Sequence, residues 1–366
     1  MSFTRFAPSD FVISSDSITA PAWSSNVPTL LNFYTATPVT STQINAGAFY
    51  LNVYQLATGV AGSAVQFAIA YGNAKGSGSL WYNSLVPGVS PSLTTYKQYK
   101  TLVYGPELTG SQGFNFGGAT LNAPDIFALN IDRNRYKESL FPGTFNLTIS
   151  GPAGTITLCD NSNDATIVNY LDCGRVFDIV SGSYGKATAT VSIGQTAPGY
   201  TASGSYGFFL PDIGTIVLNP SALRLSAVSG GIGFITDDAN YGASGYTPNA
   251  SASYTSTNCR LMYNAINAGR NSPTLPGFQL NSQETISSDY VFVRVGNSEY
   301  NYTSNPTFVS GSGTVLYDTM IYSPQTYMTT VGMYNDNNEL LAVAKMSKPL
   351  VKDFTKEALI RVKLDW

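Results

Sequence analysis

The chain has 366 residues, enough to bury a substantial hydrophobic core in one large β domain or in several smaller ones. Hydrophobic residues make up an ordinary 43% of it, but charged residues make up only 11%, less than half the usual share. Because the net charge is −3, the basic footprint of nucleic-acid and anionic-membrane binding is missing, and we expect neither partner. The sequence shows neither a signal-peptide core nor an apolar run of membrane-spanning length, so we expect a cytosolic product that stays soluble or enters an assembly.

The composition predicts an all-β fold. The 24 Tyr and 19 Phe, with many Val and Ile, favour strands, and the 34 Gly and 19 Pro mark frequent turns. We therefore expect several antiparallel sandwich-like or barrel-like modules, one or two short helices and an extended N-terminal arm. A charge-poor, Tyr-rich surface fits either an ordinary secreted β protein or a surface covered by neighbouring subunits. The depletion of charge and the enrichment of tyrosine favour the second interpretation.

Residues 1–40 are predicted to form the extended arm. Four prolines among Ser and Thr disfavour a packed domain, and the scattered large apolar residues need a surface to lie on. The arm either wraps its own domain or lies over a neighbouring subunit. We expect the second, with the arm becoming ordered only on assembly. The apolar residues expected at this interface are Phe3, Phe6, Phe11 and Trp23.

The middle of the chain is predicted to hold three segments. Residues 41–143 are expected to form a β-rich domain with a short helix at 93–104, where apolar residues recur at helical spacing. Residues 144–218 are expected to form an inserted β-sandwich-like module that begins with a hairpin. Residues 219–284 are expected to form a loop-rich connection with a short helix at 259–268.

Residues 285–366 are predicted to form an antiparallel β-module. The last ten residues alternate between apolar and polar, which indicates a half-buried terminal strand. Arg361 and Lys363 fall on its polar face and Trp366 ends its apolar face, and we expect all three at an assembly interface. The segment 341–366 has six basic and three acidic residues, which suits contact with an unlike surface of a neighbour. The other strands expected in this module are 289–295, 314–321, 326–334 and 340–346.

The sequence offers no catalytic constellation. The absence of histidine removes Ser-His-Asp and Cys-His catalysis and imidazole metal ligation. Cys159, Cys173 and Cys259 form no C-x-x-C pair and are expected to be buried free thiols. Asp160–Asp164 has the alternating oxygens of a calcium loop but lacks its glycine and its final glutamate, so we expect a polar turn. Asp237-Asp238 is expected in a solvated turn, and we predict no catalytic, cofactor-binding or metal site and no small-molecule substrate.

Two parts of the chain, Asp125–Leu147 and Ser288–Leu364, carry long distinctive motifs. The first part reads DIFALNIDRNRYKESLFPGTFNL, and the second contains SDYVF, NYTSNP, GMYNDNNELLAVAK, KPL and DFTKEALIRVKL. These motifs cover about a third of the chain and resemble uncharacterised virion proteins of large contractile-tailed marine phages. The resemblance implies a component of the tail, baseplate or neck, located in the virion, and it brings no catalytic motif.

We therefore predict a structural subunit of a tailed-phage virion that acts by protein–protein assembly and is not an enzyme. Its expected partners are other virion structural proteins and copies of itself. The alternative is a surface-displayed adhesin, fibre or decoration protein, because a mixture of Tyr, Ser, Gly and Asn suits the binding of a host receptor or glycan. A glycan depolymerase is disfavoured, because histidine and a concentrated carboxylate cluster are both missing.

Overall fold

The computed structural model of the chain describes residues 4–35, 50–74, 76, 92–106, 113–117, 122–166, 168–191, 194–195, 197–236, 254–270, 274–302 and 305–365. The fold is mainly β, as the composition predicts. The chain forms two compact units. The large unit is Ile18–Glu284, and the small unit combines Met1–Ser17 with Thr285–Trp366.

Nineteen strands and four α-helices lie in the described ranges. The strands are β1 (Phe11–Pro21), β2 (Thr29–Leu30), β3 (Tyr34–Thr35), β4 (Tyr50–Tyr54), β5 (Val65–Asn73), β6 (Asp125–Ile131), β7 (Ser139–Leu140), β8 (Asn146–Gly151), β9 (Gly154–Asp160), β10 (Asn169–Leu171), β11 (Gly174–Ser183), β12 (Lys186–Ala187), β13 (Gly207–Leu210), β14 (Thr215–Leu218), β15 (Phe278–Gln279), β16 (Asn281–Val295), β17 (Thr326–Tyr334), β18 (Leu340–Lys352) and β19 (Ala358–Asp365). The helices are α1 (Ser92–Tyr104), α2 (Pro220–Leu223), α3 (Tyr254–Arg270) and α4 (Asp318–Tyr322).

One antiparallel sheet of 13 strands forms the frame of the large unit. Its order is β2-β15-β8-β9-β11-β13-β14-β6-β5-β4-β3, and β10 and β12 pair with β11. The predicted hairpin is confirmed, because β8 and β9 pair up to Gly151 and Gly154 around a two-residue turn. β14 then pairs with β6, so strands that are far apart in sequence become neighbours.

The central strands of this sheet are apolar on both faces because both faces are covered. All four residues of β13 are buried, and Phe208 and Phe209 belong to different hydrophobic cores. Helix α3 contributes Met262 to the core that contains Phe209, and helix α1 contributes Tyr96 to the core that contains Phe208. Since neither face meets water, these strands are continuous apolar runs without alternation.

Helix α3 packs closely against β8. A Cβ at Gly269 would lie 2.1 Å from the carbonyl oxygen of Thr148, so only glycine permits this approach. Met262 and Ile266, four residues apart, are fully buried on the face that covers the sheet. The helix is therefore a core element and is longer than the predicted helix at 259–268.

The segments expected to be separate in the middle of the chain belong to one unit. Residues 41–143 and 144–218 both supply strands to the large sheet, because β6 of the first pairs with β14 of the second. The expected connection 219–284 supplies α3 and β15 to the same unit. The main core joins Phe67, Ile149 and Ile266, one from each segment, so the hydrophobic interior is shared.

The N-terminal segment also differs from the expected arm. Trp23 is 1% exposed and, with Leu30, belongs to the main core of the large unit. β2 adds a short edge to the large sheet by pairing with β15. Trp23, Leu30 and Phe33 are thus buried within their own chain, whereas Ile18, Val27, Leu31 and Tyr34 remain exposed. Residues 36–40 of the expected arm lie outside the described residues.

The small unit is a two-layer β-sandwich. One layer has the strand order β1-β16-β19, and the other is the two-stranded hairpin β17–β18. β16 and β19 pair antiparallel along eight residues of each strand. Val291 and Val362 from the first layer meet Met333 from the hairpin in the core between the layers.

The predicted terminal strand is confirmed. In β19 the exposure alternates as the sequence predicts, with Val362 buried and both Arg361 and Lys363 exposed. The expected strand at 314–321 is wrong, because Asp318–Tyr322 forms a short helix there. An acidic residue suits the first turn of a helix, and apolar residues around it such as Ile321 are exposed, so no burial favours a strand.

Candidate assembly interface

The small unit has a thin hydrophobic core. Val291, Met333 and Val362 are the buried residues of its core cluster, whereas the large unit buries several times as many. The partly buried residues that pack around the small core are Phe6, Val293, Val331, Ala342, Ala344, Ile360 and Leu364. A domain of this length usually needs a larger core, so the small unit depends on few interior contacts.

Exposed apolar side chains are concentrated in this same unit. About half of the large apolar side chains that are exposed among the described residues belong to the small unit, although it is much the shorter of the two. Scattered single exposures are normal on protein surfaces, whereas apolar side chains concentrated in one region are typical of binding surfaces. Most of them lie in three parts of the small unit: strand β1, the tyrosine-rich segment before β17, and the hairpin β17–β18. Phe354 and Leu359 lie outside these parts.

The hairpin has one face on the core and one face exposed. Val331 and Met333 pair with Ala344 and Ala342 on the inner face. The other residues alternate with these and face outward, so the apolar side chains on this face are exposed. This outer hairpin face carries Tyr334, Leu340 and Val343, with Leu341 in a β-bulge beside them.

These outer side chains form one contiguous patch. A Cβ at Gly332 would lie 3.0 Å from the ring of Tyr334 and 3.4 Å from Leu340, so both side chains lie over this glycine. Val343 is the cross-strand partner of Gly332. Directly opposed residues on one face of a sheet touch, so the patch continues across both strands.

A second group of exposed apolar residues precedes β17. Tyr300, Tyr302, Tyr317 and Tyr322 are exposed, as is Tyr327 near the start of β17. Thr326 Oγ1 donates to the Tyr300 carbonyl at 2.7 Å, which ties the start of β17 to the beginning of this segment. Tyrosine offers a large rigid surface and a polar tip, which is why it is enriched in binding surfaces.

The outer face of the three-stranded layer combines charge and aromatic rings. The Arg361 guanidinium lies 5.3 Å from the ring centroid of Tyr290, and the Lys363 ammonium lies 6.0 Å from the same centroid. Lys363 also pairs with Asp365 at 2.9 Å, and this hydrogen bond raises the pKa of Lys363. A hydrogen bond from Ser288, followed by the bond from Lys363, lowers the pKa of Asp365. Both partners are therefore charged across the neutral range.

Strand β1 completes this layer on its other side. Arg294 of β16 pairs with Asp10 at 3.0 Å, and Asp16 contributes to raising the pKa of Lys363. Two carboxylates of the β1 segment thus lie near cations of β16 and β19. Phe6 and Phe11 meet edge to face, with ring centroids 5.3 Å apart, and Phe11 remains exposed.

The structure brings most of the predicted interface residues together in the small unit. Phe6, Phe11, Arg361 and Lys363 all belong to it, and the last three are exposed. Phe3 and Trp366 lie outside the described residues. Trp23 is the correction, because its ring is buried against Phe67 and Phe278 in the large unit and no partner can reach it.

Lys352 and the outer hairpin face are not among the predicted interface residues. Lys352 is 0% exposed, and its ammonium donates to the Asn297 carbonyl at 2.9 Å, to Asn301 Oδ1 at 2.8 Å and to the Asp353 carbonyl at 2.9 Å. It joins the end of β18 to the loop that follows β16. The sequence signal for the hairpin patch is the pair Leu340-Leu341, which interrupts the alternation at the bulge.

Buried carboxylates of the large unit have structural partners. Asp160, at the expected polar turn, accepts from the Gly143 amide at 2.9 Å and from the Ser162 amide at 3.1 Å. Burial raises its pKa, and burial likewise raises the pKa of Asp178, which accepts from the Tyr200 hydroxyl at 3.1 Å. The hydrogen bonds of Asp160 and Asp178 hold turns and strand ends of the large unit in place. Asp237-Asp238 lies outside the described residues.

Within the described ranges, no three Cys, Asp or Glu side chains are grouped closely enough to hold a metal ion. No helix there combines the length and apolar character needed to cross a membrane. Comparison of the chain with protein-family models, with curated proteins and with solved structures found no match in any of the three.

Proposed function

We propose that the chain is a structural subunit of a tailed-phage virion and assembles through its small unit. The observation that carries the assembly role is the imbalance of that unit, which buries few apolar residues and exposes many. The proposed position in the tail, baseplate or neck is supported by the sequence resemblance of Asp125–Leu147 and Ser288–Leu364.

The energetics favour a covered small unit. A tyrosine or phenylalanine buries about 150–250 Å² when fully covered, so covering half of one ring removes roughly 100 Å² from water. That area is worth roughly 2.5 kcal/mol as an upper value. Association costs roughly 4–15 kcal/mol in lost freedom, so several such residues must be covered together. The exposed apolar residues of the patch Tyr334–Val343 and the exposed tyrosines between 300 and 327 are numerous enough to offset this cost when they are covered together.

Labelling of purified particles tests the proposal. Particles would be treated with gold-labelled antibodies against the chain and imaged, and their protein content would be analysed by mass spectrometry. We expect the label ringed around the tail axis and a fixed copy number per particle. Absence of the chain from washed particles, with the free chain present in the lysate, would contradict the proposal.

The exposed tyrosines support a second candidate function, an adhesin that binds host receptor or glycan. Tyr302 and Tyr322 are largely exposed side chains of a segment that contributes nothing to the core cluster. Label at fibre tips, together with binding of the purified chain to host cells that is lost in Tyr302→Ser with Tyr322→Ser, would favour this candidate. Val228→Ser, an exposed position of the large unit, is the matched control.

We also propose that the chain is not an enzyme. Support comes from the missing histidine and from the structural partners of the buried carboxylates Asp160 and Asp178. The purified chain should release no reducing sugar from host envelope glycans. Release that is abolished by Asp178→Asn would show that this carboxylate is catalytic.

A further inference from the structure

Among the residues that the structure describes, the three-stranded layer of the small unit has two unpaired edges. β16 lies in the middle of the order β1-β16-β19, and none of the described strands pairs with the far side of β1 or of β19. Free edges present rows of unpaired amide and carbonyl groups that template pairing with another chain. Natural edge strands are usually protected by lysine, proline or bulges, but the small-unit part of β1, Phe11–Ser17, contains no lysine, arginine or proline.

The β1 edge is also apolar and accessible. Ile13 is 79% exposed, and Phe11 and Val12 beside it are exposed as well. Strand β1 is exposed on both faces and, among the described strands, hydrogen-bonds to a neighbour along one edge only. Its free edge can therefore receive a further strand, which would pair with its unpaired amide and carbonyl groups. Its small-unit part has seven residues, and β19 has eight, so the two edges match in length.

The contacts also fix the direction of the two edges. Asp10, just before β1, pairs with Arg294 at 3.0 Å, whereas the Ala20 carbonyl near the end of β1 accepts from Ser282 Oγ at 3.3 Å. As β1 advances, β16 therefore runs backwards, and β1 and β16 are antiparallel. Because β19 is also antiparallel to β16, β1 and β19 run in the same direction. When β19 of one copy lies beside β1 of the next, the two strands therefore form a parallel pair.

Charge selects between the possible pairings. Residues 10–17 carry Asp16 and Asp10, which pairs with Arg294, and no cation, while β19 carries Arg361 and Lys363 with a single carboxylate, Asp365. A two-fold pairing of β1 with β1 would place acidic strands together, and a two-fold pairing of β19 with β19 would place basic strands together. Like charges across a strand pair are destabilising, so β1 against β19 is the favoured combination.

We propose that the β1 edge of one copy pairs with the β19 edge of a second copy, so that the chain assembles head to tail. The inference rests on the proposed role as an assembling subunit and names the partner and the edges. Because the two edges differ, the contact is heterologous and does not end at a dimer; repeated, it closes into a ring or continues as a filament.

Two variants of the full chain test the pairing by complementation. In the β1-edge variant, Val12→Lys with Ile13→Lys adds cations to the edge that must accept a basic strand. In the β19-edge variant, Leu359→Asp with Arg361→Asp adds carboxylates to the edge that must meet an acidic one; Leu359 is 64% exposed in the wild type. Each variant keeps one native edge, and unchanged thermal unfolding verifies its fold. Val228→Lys in the large unit is the control and should assemble like the wild type.

Sedimentation velocity gives the readout over a range of concentration and salt. The wild type should form species larger than a dimer, fewer of them at high salt. Each edge variant alone should stay monomeric, with self-association weakened at least tenfold. An equimolar mixture should assemble again, beyond a one-to-one dimer, because the two native edges can pair and the two altered edges carry opposite charges. Homodimers of the β19-edge variant would show a two-fold β1 contact and overturn the inference. A mixture that stays monomeric, or a wild type that is monomeric throughout, would overturn it too.

Particle labelling decides the proposed function separately. A chain that is present in particles yet monomeric in solution would contradict only the head-to-tail contact.

Discussion

The indole ring of Trp23 packs edge to face against the ring of Phe278, with ring centroids 4.8 Å apart. The indole N–H also donates to the Pro28 carbonyl at 2.9 Å, which satisfies its one polar group inside the core. This pairing fixes the segment after residue 17 to the large unit. It separates the N-terminal region into a part that belongs to the large core and a part, β1 up to Ser17, that belongs to the small unit.

The first prediction follows from this burial. Trp23→Ala should destabilise the large unit by about 3–5 kcal/mol, because a large buried aromatic leaves a cavity that the surrounding core cannot fill. Chemical denaturation of the full chain, monitored by hydrogen exchange in β8, measures the change. Phe11→Ala is the matched control, since Phe11 is exposed, and it should cost far less. Equal effects of the two changes would contradict the assignment of Trp23 to the core.

The sequence could not place Trp23, because its burial depends on a partner that is remote along the chain. Local patterns predict what local neighbours decide, such as the two-residue turn between β8 and β9 or the alternation of β19. At 314–321 the apolar residues suggested a strand, but among the described residues this segment forms only an isolated bridge, Val315 with Val309, and Asp318–Tyr322 forms a helix. In both cases the sequence-based expectation failed because the outcome depends on contacts with residues that are distant along the chain.

The candidate interface was predicted only in part, for a related reason. Arg361 and Lys363 follow a strict alternation, so their exposure could be read directly from the sequence. The outer hairpin face could not, because the bulge between Met333 and Tyr334 shifts the register and turns Leu341 outward. A bulge depends on how the two strands pair with each other. The apolar and polar pattern of a single strand carries no information about that pairing.

The second prediction concerns β19. Deleting residues 357–366 should unfold the small unit, because it removes Val362 and the partly buried Ile360 and Leu364 from a thin core at roughly 1.5–3 kcal/mol each. Arg361→Ala with Lys363→Ala should leave unfolding unchanged, since both side chains are exposed, and should weaken assembly most at low salt. Thermal unfolding and incorporation into particles are the measurements. A truncated chain with wild-type stability and incorporation would show that β19 is dispensable.

The third prediction concerns the three cysteines, which are buried and unpaired as the sequence predicts. Burial raises the pKa of Cys159 and the pKa of Cys259 to about 12 each, and burial also raises the pKa of Cys173. Thiol reagents attack the thiolate, and at pH 8 a group with such a pKa is ionised in roughly one molecule in 10⁴. The folded chain should therefore resist labelling at pH 8, whereas the chain in denaturant should label at all three positions. Rapid labelling of any one of them in the folded chain, located by peptide mapping, would show that its burial is incomplete.

The last prediction tests whether Lys352 holds the small unit together. Its ammonium donates to three oxygens, two of them from the loop after β16, and the bond to Asn301 Oδ1 is buried; no other donor to that oxygen is among the described contacts. Lys352→Met keeps the apolar stem but leaves these acceptors without a donor, so we expect a loss of about 1–3 kcal/mol. Lys348→Met, at an exposed position of the same strand, should change stability little. Hydrogen exchange in peptides covering 326–352 measures both variants, and faster exchange is expected for Lys352→Met alone. Equal exchange in the two variants would mean that the loop and β18 are held by the remaining backbone pairing, without a contribution from the buried ammonium.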